Sequence, residues 1–371
     1  MNLFPSADPI PLPAPVWLMK LLSLVTLSLH FSAVMILVGS LLLVIWLNFR
    51  GRASRNTDQL SAADTIAKRL PVLMTFVINL GVPPLLFLQV LYGRQIYSSS
   101  VIIAVTWLSV IFLVMLAYWL IYRTVAAIEA KKAAWPLALI ALLVTASIGH
   151  IYSMNMTLML HPESWQAMYA QSPRGLSNYN GDPTITPRWL FVMAGGLLFG
   201  GLWTALLSNM VYLGDGVRMV LRRAGGTMAF LGAVLQGICA YLVITAQPDF
   251  VRQGISGIAL YNISALAFPV TLGLAGVVGL LQGLGKKTTT LISTVGVLVA
   301  FLATAAAAIV RDGIRDFTLY KVGFNVYDVS VYANWSVLIL FLLLFVIMLG
   351  VVYWLLQVMR QATPPKEEVA I

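Results

Sequence analysis

The chain has 371 residues, of which 60% are hydrophobic and only 10% are charged, and its mean hydropathy is +0.90. This composition excludes an ordinary soluble globular domain and indicates a polytopic membrane protein. The net charge of +10 would suggest a nucleic-acid partner in a soluble protein. Here the charges lie between apolar runs, so we predict no nucleic-acid partner. The single cysteine, Cys239, excludes an internal disulfide, a CxxCH haem attachment and a cysteine zinc site.

The apolar runs predict an all-α fold, a polytopic integral membrane helix bundle. A helix rises ~1.5 Å per residue, so about 20 residues cross ~30 Å of hydrocarbon. Nine runs are long enough, at residues 17–47, 70–92, 101–122, 135–160, 189–212, 227–246, 258–284, 291–310 and 335–359. Five prolines among the first fifteen residues, with no basic n-region, indicate an extended arm rather than a cleaved signal peptide. We predict an external arm at 1–16, one membrane domain at 17–360 and a short cytoplasmic tail at 361–371.

The basic residues predict the orientation of this bundle. Fifteen of the 23 lysines and arginines lie in the loops after spans one, three, five and seven and in the C-terminal tail. The positive-inside rule then places the C-terminus in the cytoplasm and the N-terminus outside. We therefore expect a multi-pass protein of the cell inner (cytoplasmic) membrane, in contact with membrane lipid.

Two histidines lie deep inside predicted spans, and an ionisable side chain there needs a partner, a metal or a water-filled cavity. His30, in span one, and His150, in span four, each lie two or three residues to the external side of the midpoint, roughly 4 Å outward. Equal depth is what two axial ligands of one haem would require. A hydrogen-bonded core role is the alternative for both. His161, beside Pro162 at the membrane surface, is a weaker candidate.

None of the predicted spans contains an aspartate or glutamate away from its ends. Buried carboxylates usually build proton relays and ion sites, so the sequence disfavours proton-driven transport and a complete oxygen reductase within this chain. The two longest external connections, 161–188 and 311–334, are candidates for a folded external surface, and tolerated insertions are the alternative. Arg311 and Arg315, in the second connection, are candidates for contact with a quinone or a partner protein.

Small residues at helical spacing predict close contacts between helices. Gly196 with Gly200, and Gly279 with Gly283, form GxxxG patterns, which we interpret as packing inside the bundle rather than as a dimer face. The glycine and two prolines of 81–84 predict a kink in the second span, where freed backbone carbonyls need other partners.

The order of these features resembles subunit I of the cytochrome bd quinol oxidases. The first span, LSLHFSAVMILVGSLLLVIW, resembles the opening helix of that family, whose histidine is an axial haem ligand and maps onto His30. The segment INLGVPPLLFLQVLYGRQIYSSS is similar to the family's NFALGVATG segment with its FQFG-like end, and SIGHIYSMNMTLMLHPESW takes the place of its SALWI and NGWMQ-P segments. The likeness continues more faintly to RDGIRDFTLY at 311–320, where the family carries its GRQPW loop. It implies nine spans with the N-terminus outside, haem b and a quinone.

The departures indicate a divergent, shortened relative of that subunit. Subunit I has a second haem histidine in its fifth span and a methionine ligand in its seventh, but FVMAGGLLFGGLWTALL contains no histidine and YNISALAFPVTLGLAG contains no methionine. The long quinol loop between spans six and seven shrinks to about QPDFVRQGISG, and VAFLATAAAAIV lacks the family's membrane carboxylates. The chain is more similar to the shortened relatives that serve beside c-type cytochromes in respiratory assemblies.

The leading hypothesis is therefore a membrane subunit of a quinone-linked electron-transfer complex. It would bind one or two b-type haems through His30 and His150, and a c-type cytochrome or another respiratory subunit on its external side. As an enzyme it would be part of a quinol-oxidising complex rather than a complete oxygen reductase. Two alternatives remain open: a haem-free scaffold for a partner redox enzyme, and a small-molecule transporter.

Overall fold

The chain folds as a bundle of long helices. The computed structural model describes residues 10–210, 212–285 and 289–361, with their side chains except at 348, 352 and 355–361. Two 3-10 turns lie at Pro162–Ser164 and Val326–Asp328. The α-helices of this part are α1 (Val16–Ala53), α2 (Thr57–Ala67), α3 (Leu70–Leu91), α4 (Gly93–Ile102), α5 (Ala104–Glu129), α6 (Trp135–Leu158), α7 (Trp165–Gln171), α8 (Ile185–Leu207), α9 (Asp215–Thr245), α10 (Asp249–Gly257), α11 (Ala259–Leu284), α12 (Thr290–Lys321) and α13 (Trp335–Gln361).

Eight segments of the described chain are long and apolar enough to cross a membrane, namely α1, α2 with α3, α5, α6, α8, α9, α11 and α12. This confirms an all-α, multi-pass integral membrane protein. Helix α13 coincides with the ninth predicted span, 335–359, and the side chains at 348, 352 and 355–359 lie outside the description. Nine spans and the orientation of the termini therefore stay predictions. The predicted tail lies beyond the described residues from 362 onward.

Helices α1 and α8 form the centre of the bundle. Within the most apolar 18 residues of each of these two helices, 61% of the residues are buried. The corresponding fraction is 22–39% in the other six membrane segments. Helix α1 packs on α3 and α6 on one side and on α8 and α12 on the other. Helix α9 packs on both α8 and α11, and α11 packs on α12. Lipid faces the outer helices, whose exposed apolar side chains suit that contact.

Glycine allows the two central helices to meet backbone to backbone. A Cβ atom added to Gly39 would lie 2.1 Å from the carbonyl oxygen of Gly196 and 2.7 Å from the Cα of Gly200. In lipid, such close approach provides the dispersion contacts that hold helices together. Gly279 likewise contacts α9. A Cβ atom added to Gly279 would lie 3.1 Å from the carbonyl oxygen of Gly226. The predicted packing of both GxxxG patterns inside the bundle is confirmed.

An N-terminal segment pairs with the connection that precedes α13. Leu12 and Val331 form an isolated parallel bridge, in which the Leu12 N–H donates to the Ser330 carbonyl and the Tyr332 N–H donates to the Leu12 carbonyl, both at 2.8 Å. Leu12 is only 1% exposed. The described part of the predicted arm is therefore fastened to the rest of the protein.

Candidate functional site

The imidazole of His30 faces α3. Its Nδ1 atom lies 3.1 Å from the backbone carbonyl oxygen of Val77, and a Cβ atom added to Gly81 would lie 2.8 Å from its Cε1. A carbonyl oxygen only accepts hydrogen bonds, so Nδ1 must be the donor. In the neutral imidazole the lone pair is then on Nε2. Histidines that bind metals typically donate their other ring N–H to a carbonyl or carboxylate in this way.

The local sequence of α3 explains this close approach. Gly81 has no side chain at the point where the ring of His30 lies, whereas any other residue would collide with it. Two residues further on, Pro83 and Pro84 lie inside α3. Proline has no backbone N–H. The carbonyls of Asn79 and Leu80 therefore lack the hydrogen-bond donors that positions 83 and 84 would otherwise supply. The helix continues through both prolines to Leu91, and the kink predicted at 81–84 stays a prediction.

His150 has a different environment from His30. Its ring makes an edge contact with Trp189 of α8, at 5.6 Å between centroids and an interplanar angle of 86°. Trp189 is held in place because its Nε1 donates to the Ala146 carbonyl at 2.9 Å. The described contacts thus turn the two histidines toward different helices, α3 for His30 and α8 for His150. Their pairing as ligands of one haem stays a prediction.

A buried group of ionic side chains lies at one end of the bundle. Lys20 of α1 makes ion pairs with Asp312, at 2.9 Å, and with Asp316, both on α12. Arg315 lies 3.5 Å from Asp312, and the hydroxyl of Tyr92 donates to Asp316 at 2.6 Å. Lys20, Asp312 and Arg315 are each only 6% exposed. We call these five residues the ion cluster.

The helix that carries part of the ion cluster corrects one sequence prediction. The eighth span was predicted to end at residue 310, with 311–334 as an external connection, but α12 continues to Lys321. Asp312 and Asp316 therefore lie in the last turns of the helix that carries the eighth span, and the expectation that spans contain no carboxylate away from their ends stays a prediction. The physical reason for the continuation of α12 is the spacing of Asp312 and Asp316, four residues apart on one helical face, which turns both toward Lys20. Paired in this way, the charges can be buried between α1 and α12.

Two further arginines add positive charge beside Arg315 of the ion cluster. Arg188 at the start of α8, Arg311 and Arg315 lie close enough to repel one another electrostatically. The Nε atom of Arg188 is buried and has no hydrogen-bond partner among the described residues. Lys20 and the three arginines outnumber the nearby carboxylates, which are those of Asp312, Asp316 and, beside Arg188, Asp182. The region therefore favours an anionic group. Arg315, predicted to contact a quinone or partner, is itself buried against the protein's own side chains.

Tyr92 follows α3 and completes the ion cluster. Burial, together with the neighbouring Asp312 and Asp316, raises the pKa of its hydroxyl well above the ordinary value. The guanidinium of Arg315 lies 4.8 Å from the centre of its ring, in a cation–π contact. Tyr92 therefore remains protonated and acts as a hydrogen-bond donor to Asp316.

Sequence reasoning missed most of the ion cluster. Lys20 was counted only as a basic residue of the external side, and the two aspartates were assigned to a connection. The spacing of Asp312, Arg315 and Asp316 continues the helical period of span eight. This spacing indicates that the helix extends through these residues. Only the position of α1 beside α12 shows that Lys20 meets them.

His161 forms ionic contacts with two carboxylates. Its Nδ1 lies 2.7 Å from Glu163 and its Nε2 lies 2.9 Å from Asp182. Burial alone would lower the pKa of His161, but the hydrogen bonds with Asp182 and Glu163 raise it above the ordinary value of 6.5. The same contact, with Thr184, lowers the pKa of Asp182 despite its burial. The imidazolium thus joins the two ends of the connection before α8.

This contact predicts a pH dependence of stability. Because the pKa of His161 is higher in the folded protein, its stabilising contribution is complete below about pH 6.5 and is lost as the pH rises through the folded pKa. We expect the melting temperature of the wild type to exceed that of His161→Gln most at about pH 6, and the difference to shrink toward about pH 9. The measurement is thermal unfolding of both proteins in detergent. A difference that is constant over this range would contradict the assignment.

These features define the chain as a multi-pass membrane protein with a half-buried histidine and a buried ion cluster. No protein-family model and no curated protein matches it. A solved structure that does match is that of the bd oxidase from Geobacillus thermodenitrificans, with a TM-score of 0.73 and 13% sequence identity. The match covers 96% of this chain and 100% of that chain. At this identity the comparison shows that the chain shares the fold of a bd oxidase chain.

Proposed function

We propose that the protein is a membrane subunit of a respiratory, quinone-linked electron-transfer complex, similar to subunit I of the cytochrome bd oxidases, and that His30 ligates a b-type haem. The observation that carries the proposal is the bond between His30 Nδ1 and Val77, which leaves Nε2 for iron. The fold shared with a bd oxidase chain supports it. In the cell the complex would lie in the inner membrane, with nine spans and the N-terminus outside.

The surrounding residues fit such a cofactor. His30 lies ten residues from Lys20 along α1, roughly 15 Å at helical rise, so the arginines beside the ion cluster are displaced toward one face of the membrane. A carboxylate, such as those of haem, would satisfy the buried Nε of Arg188, which has no hydrogen-bond partner among the described residues. Arg188 would hold that carboxylate, and His30 would hold the iron. When bound, haem supplies one-electron transfer, and the chain's share is to fix its depth and exclude water.

His150 is proposed as a second haem ligand, whether for the same haem or for another. Its contact with Trp189 orients its ring. Arg311 is the proposed contact for a quinone, since Arg315 is occupied within the ion cluster. The external connections are proposed to bind a c-type cytochrome or another respiratory subunit. The missing family ligands in the fifth and seventh spans favour a quinol-oxidising complex over a complete oxygen reductase.

The test is haem content. We expect the purified wild type, expressed with ample haem, to show a b-type signal in a reduced-minus-oxidised spectrum and in a pyridine haemochrome assay. His30→Ala should lose that signal by about tenfold or more. Gly81→Ala keeps the ligand but displaces its ring, and should weaken haem binding about 10-fold to 100-fold, as loss of an orienting contact does.

A matched control separates ligation from folding. Gly273→Ala adds a methyl group to α11 where no atom lies within 4 Å, and should leave the spectrum unchanged. Haem content that is equal in the wild type and His30→Ala would overturn the ligand assignment. A colourless wild type would overturn haem binding altogether and leave the scaffold or the transporter. Loss of signal in His150→Ala would add His150 to the ligands.

A further inference from the structure

A cavity of about 290 Å³ lies where several helices of the bundle end. Helices α3 and α12 end beside it, and Leu338 at the start of α13 packs on the same apolar cluster. The ends of membrane helices mark the boundary between hydrocarbon and water, so the cavity lies at the level of the lipid headgroups. Its lining residues are Arg94, Gln95, Pro162, Trp165, Gln166, Leu319, Val322, Gly323 and Phe324.

The cavity contains an acceptor without a donor. Gln95 is only 5% exposed, and its Oε1 atom has no hydrogen-bond partner in the described structure. A buried acceptor left in this state costs about 1–3 kcal/mol. The neighbouring Arg94 is exposed, and no hydrogen bond or ion pair ties it to another described residue. A molecule in this cavity would satisfy both if it brought a donor to Gln95 and a negative charge to Arg94.

Apart from the exposed Gln166, the remaining walls are apolar, and two of their aromatic rings are held in place. The indole of Trp165 is fixed because its Nε1 donates to the Leu158 carbonyl at 3.0 Å. Phe324 packs on the ring of Tyr92 at 6.1 Å between centroids. Leu319 is 1% exposed, while Val322 at the rim is 43% exposed. The cavity is therefore preformed, with an apolar floor below a polar edge, which suits an amphiphile rather than a fully polar solute.

We propose that this cavity binds the headgroup of a phospholipid that carries both a phosphate and a hydrogen-bond donor. The phosphate pairs with Arg94, and the ammonium of phosphatidylethanolamine or a hydroxyl of phosphatidylglycerol donates to Gln95 Oε1. The glycerol carbons lie on the apolar floor. Phosphatidylcholine brings the same phosphate but no donor, because its nitrogen is fully methylated. The site therefore selects lipids by the headgroup rather than by the acyl chains.

The test is native mass spectrometry of the full chain, purified in detergent, stripped of lipid and mixed with one lipid at a time. We expect phosphatidylethanolamine and phosphatidylglycerol to occupy the wild type about tenfold more strongly than phosphatidylcholine, the size of one hydrogen bond. Gln95→Leu removes the acceptor and should abolish this preference. Arg94→Ala should weaken all three lipids. Arg174→Ala, an exposed arginine outside the cavity, is the control and should change nothing.

Three outcomes would overturn the proposal. In the first, the wild type binds the three lipids equally. In the second, the preference survives Gln95→Leu and the binding survives Arg94→Ala. In the third, free sn-glycerol 3-phosphate displaces the lipid at equal concentration, which would assign the cavity to a soluble phosphate. Replacing an unpaired buried amide by leucine is expected to be neutral or stabilising, so Gln95→Leu remains folded.

Discussion

Lys20→Met is expected to lower the free energy of unfolding by about 3–5 kcal/mol, because it leaves Asp312 and Asp316 buried without their principal cation. The Lys20 and Asp312 side chains are 7% and 8% exposed and that of Asp316 is 16% exposed, so water cannot replace the lost charge. Methionine retains the length and apolar stem of lysine, and the loss therefore reports charge rather than packing. The measurement is equilibrium unfolding in mixed detergent micelles.

Two further variants isolate the charge. Lys132→Met removes an exposed lysine and should cost less than about 0.5 kcal/mol. The double variant Lys20→Met/Asp312→Asn removes one charge of each sign and leaves Arg315 beside Asp316. It should recover a large part of the stability that Lys20→Met loses. If Lys20→Met unfolds at the same point as Lys132→Met, the ion cluster does not stabilise the protein.

Gly39→Ala is expected to destabilise the protein by about 3 kcal/mol or more, at the upper end of the range for overpacking. The added methyl group would lie 2.1 Å from the carbonyl oxygen of Gly196, and backbone atoms cannot turn aside as a side chain can. Helices α1 and α8 would have to separate along their whole contact. Because both are central, we also expect the loss to reduce any bound haem. Unfolding in micelles and the haem spectrum measure the two effects.

Gly273→Ala provides the comparison for this variant. It makes the same chemical change inside a membrane helix, but the new Cβ atom meets nothing within 4 Å. Its stability should be equal to that of the wild type or slightly higher, because alanine is the better helix former. Equal stability of the two alanine variants would show that α1 and α8 are not in close contact.

Only part of the candidate histidine site could be predicted from the sequence. His30 stood out because a histidine within an apolar run needs a partner, and that argument uses one stretch of chain. Its partner is the backbone carbonyl of Val77. Every residue has such a group, so no residue type in the sequence identifies the partner. The equal depth of His30 and His150 was also a local count, but the direction in which each ring points depends on the neighbouring helices. These directions, toward α3 and α8, became known only from the packing.

The sequence by itself determined which stretches enter the membrane, because hydropathy belongs to each stretch alone. The predicted runs 70–92 and 258–284 match α3 and α11 within a residue, and the glycine patterns indicated close packing. Only the tertiary structure decided that α12 extends past residue 310 and pairs two of its aspartates with Lys20. A buried charge is tolerated when its partner is present, and Lys20 is 292 residues from Asp312 along the chain. The hydropathy of a single helix cannot predict this ion pair, because the ion pair forms only when α1 and α12 lie side by side.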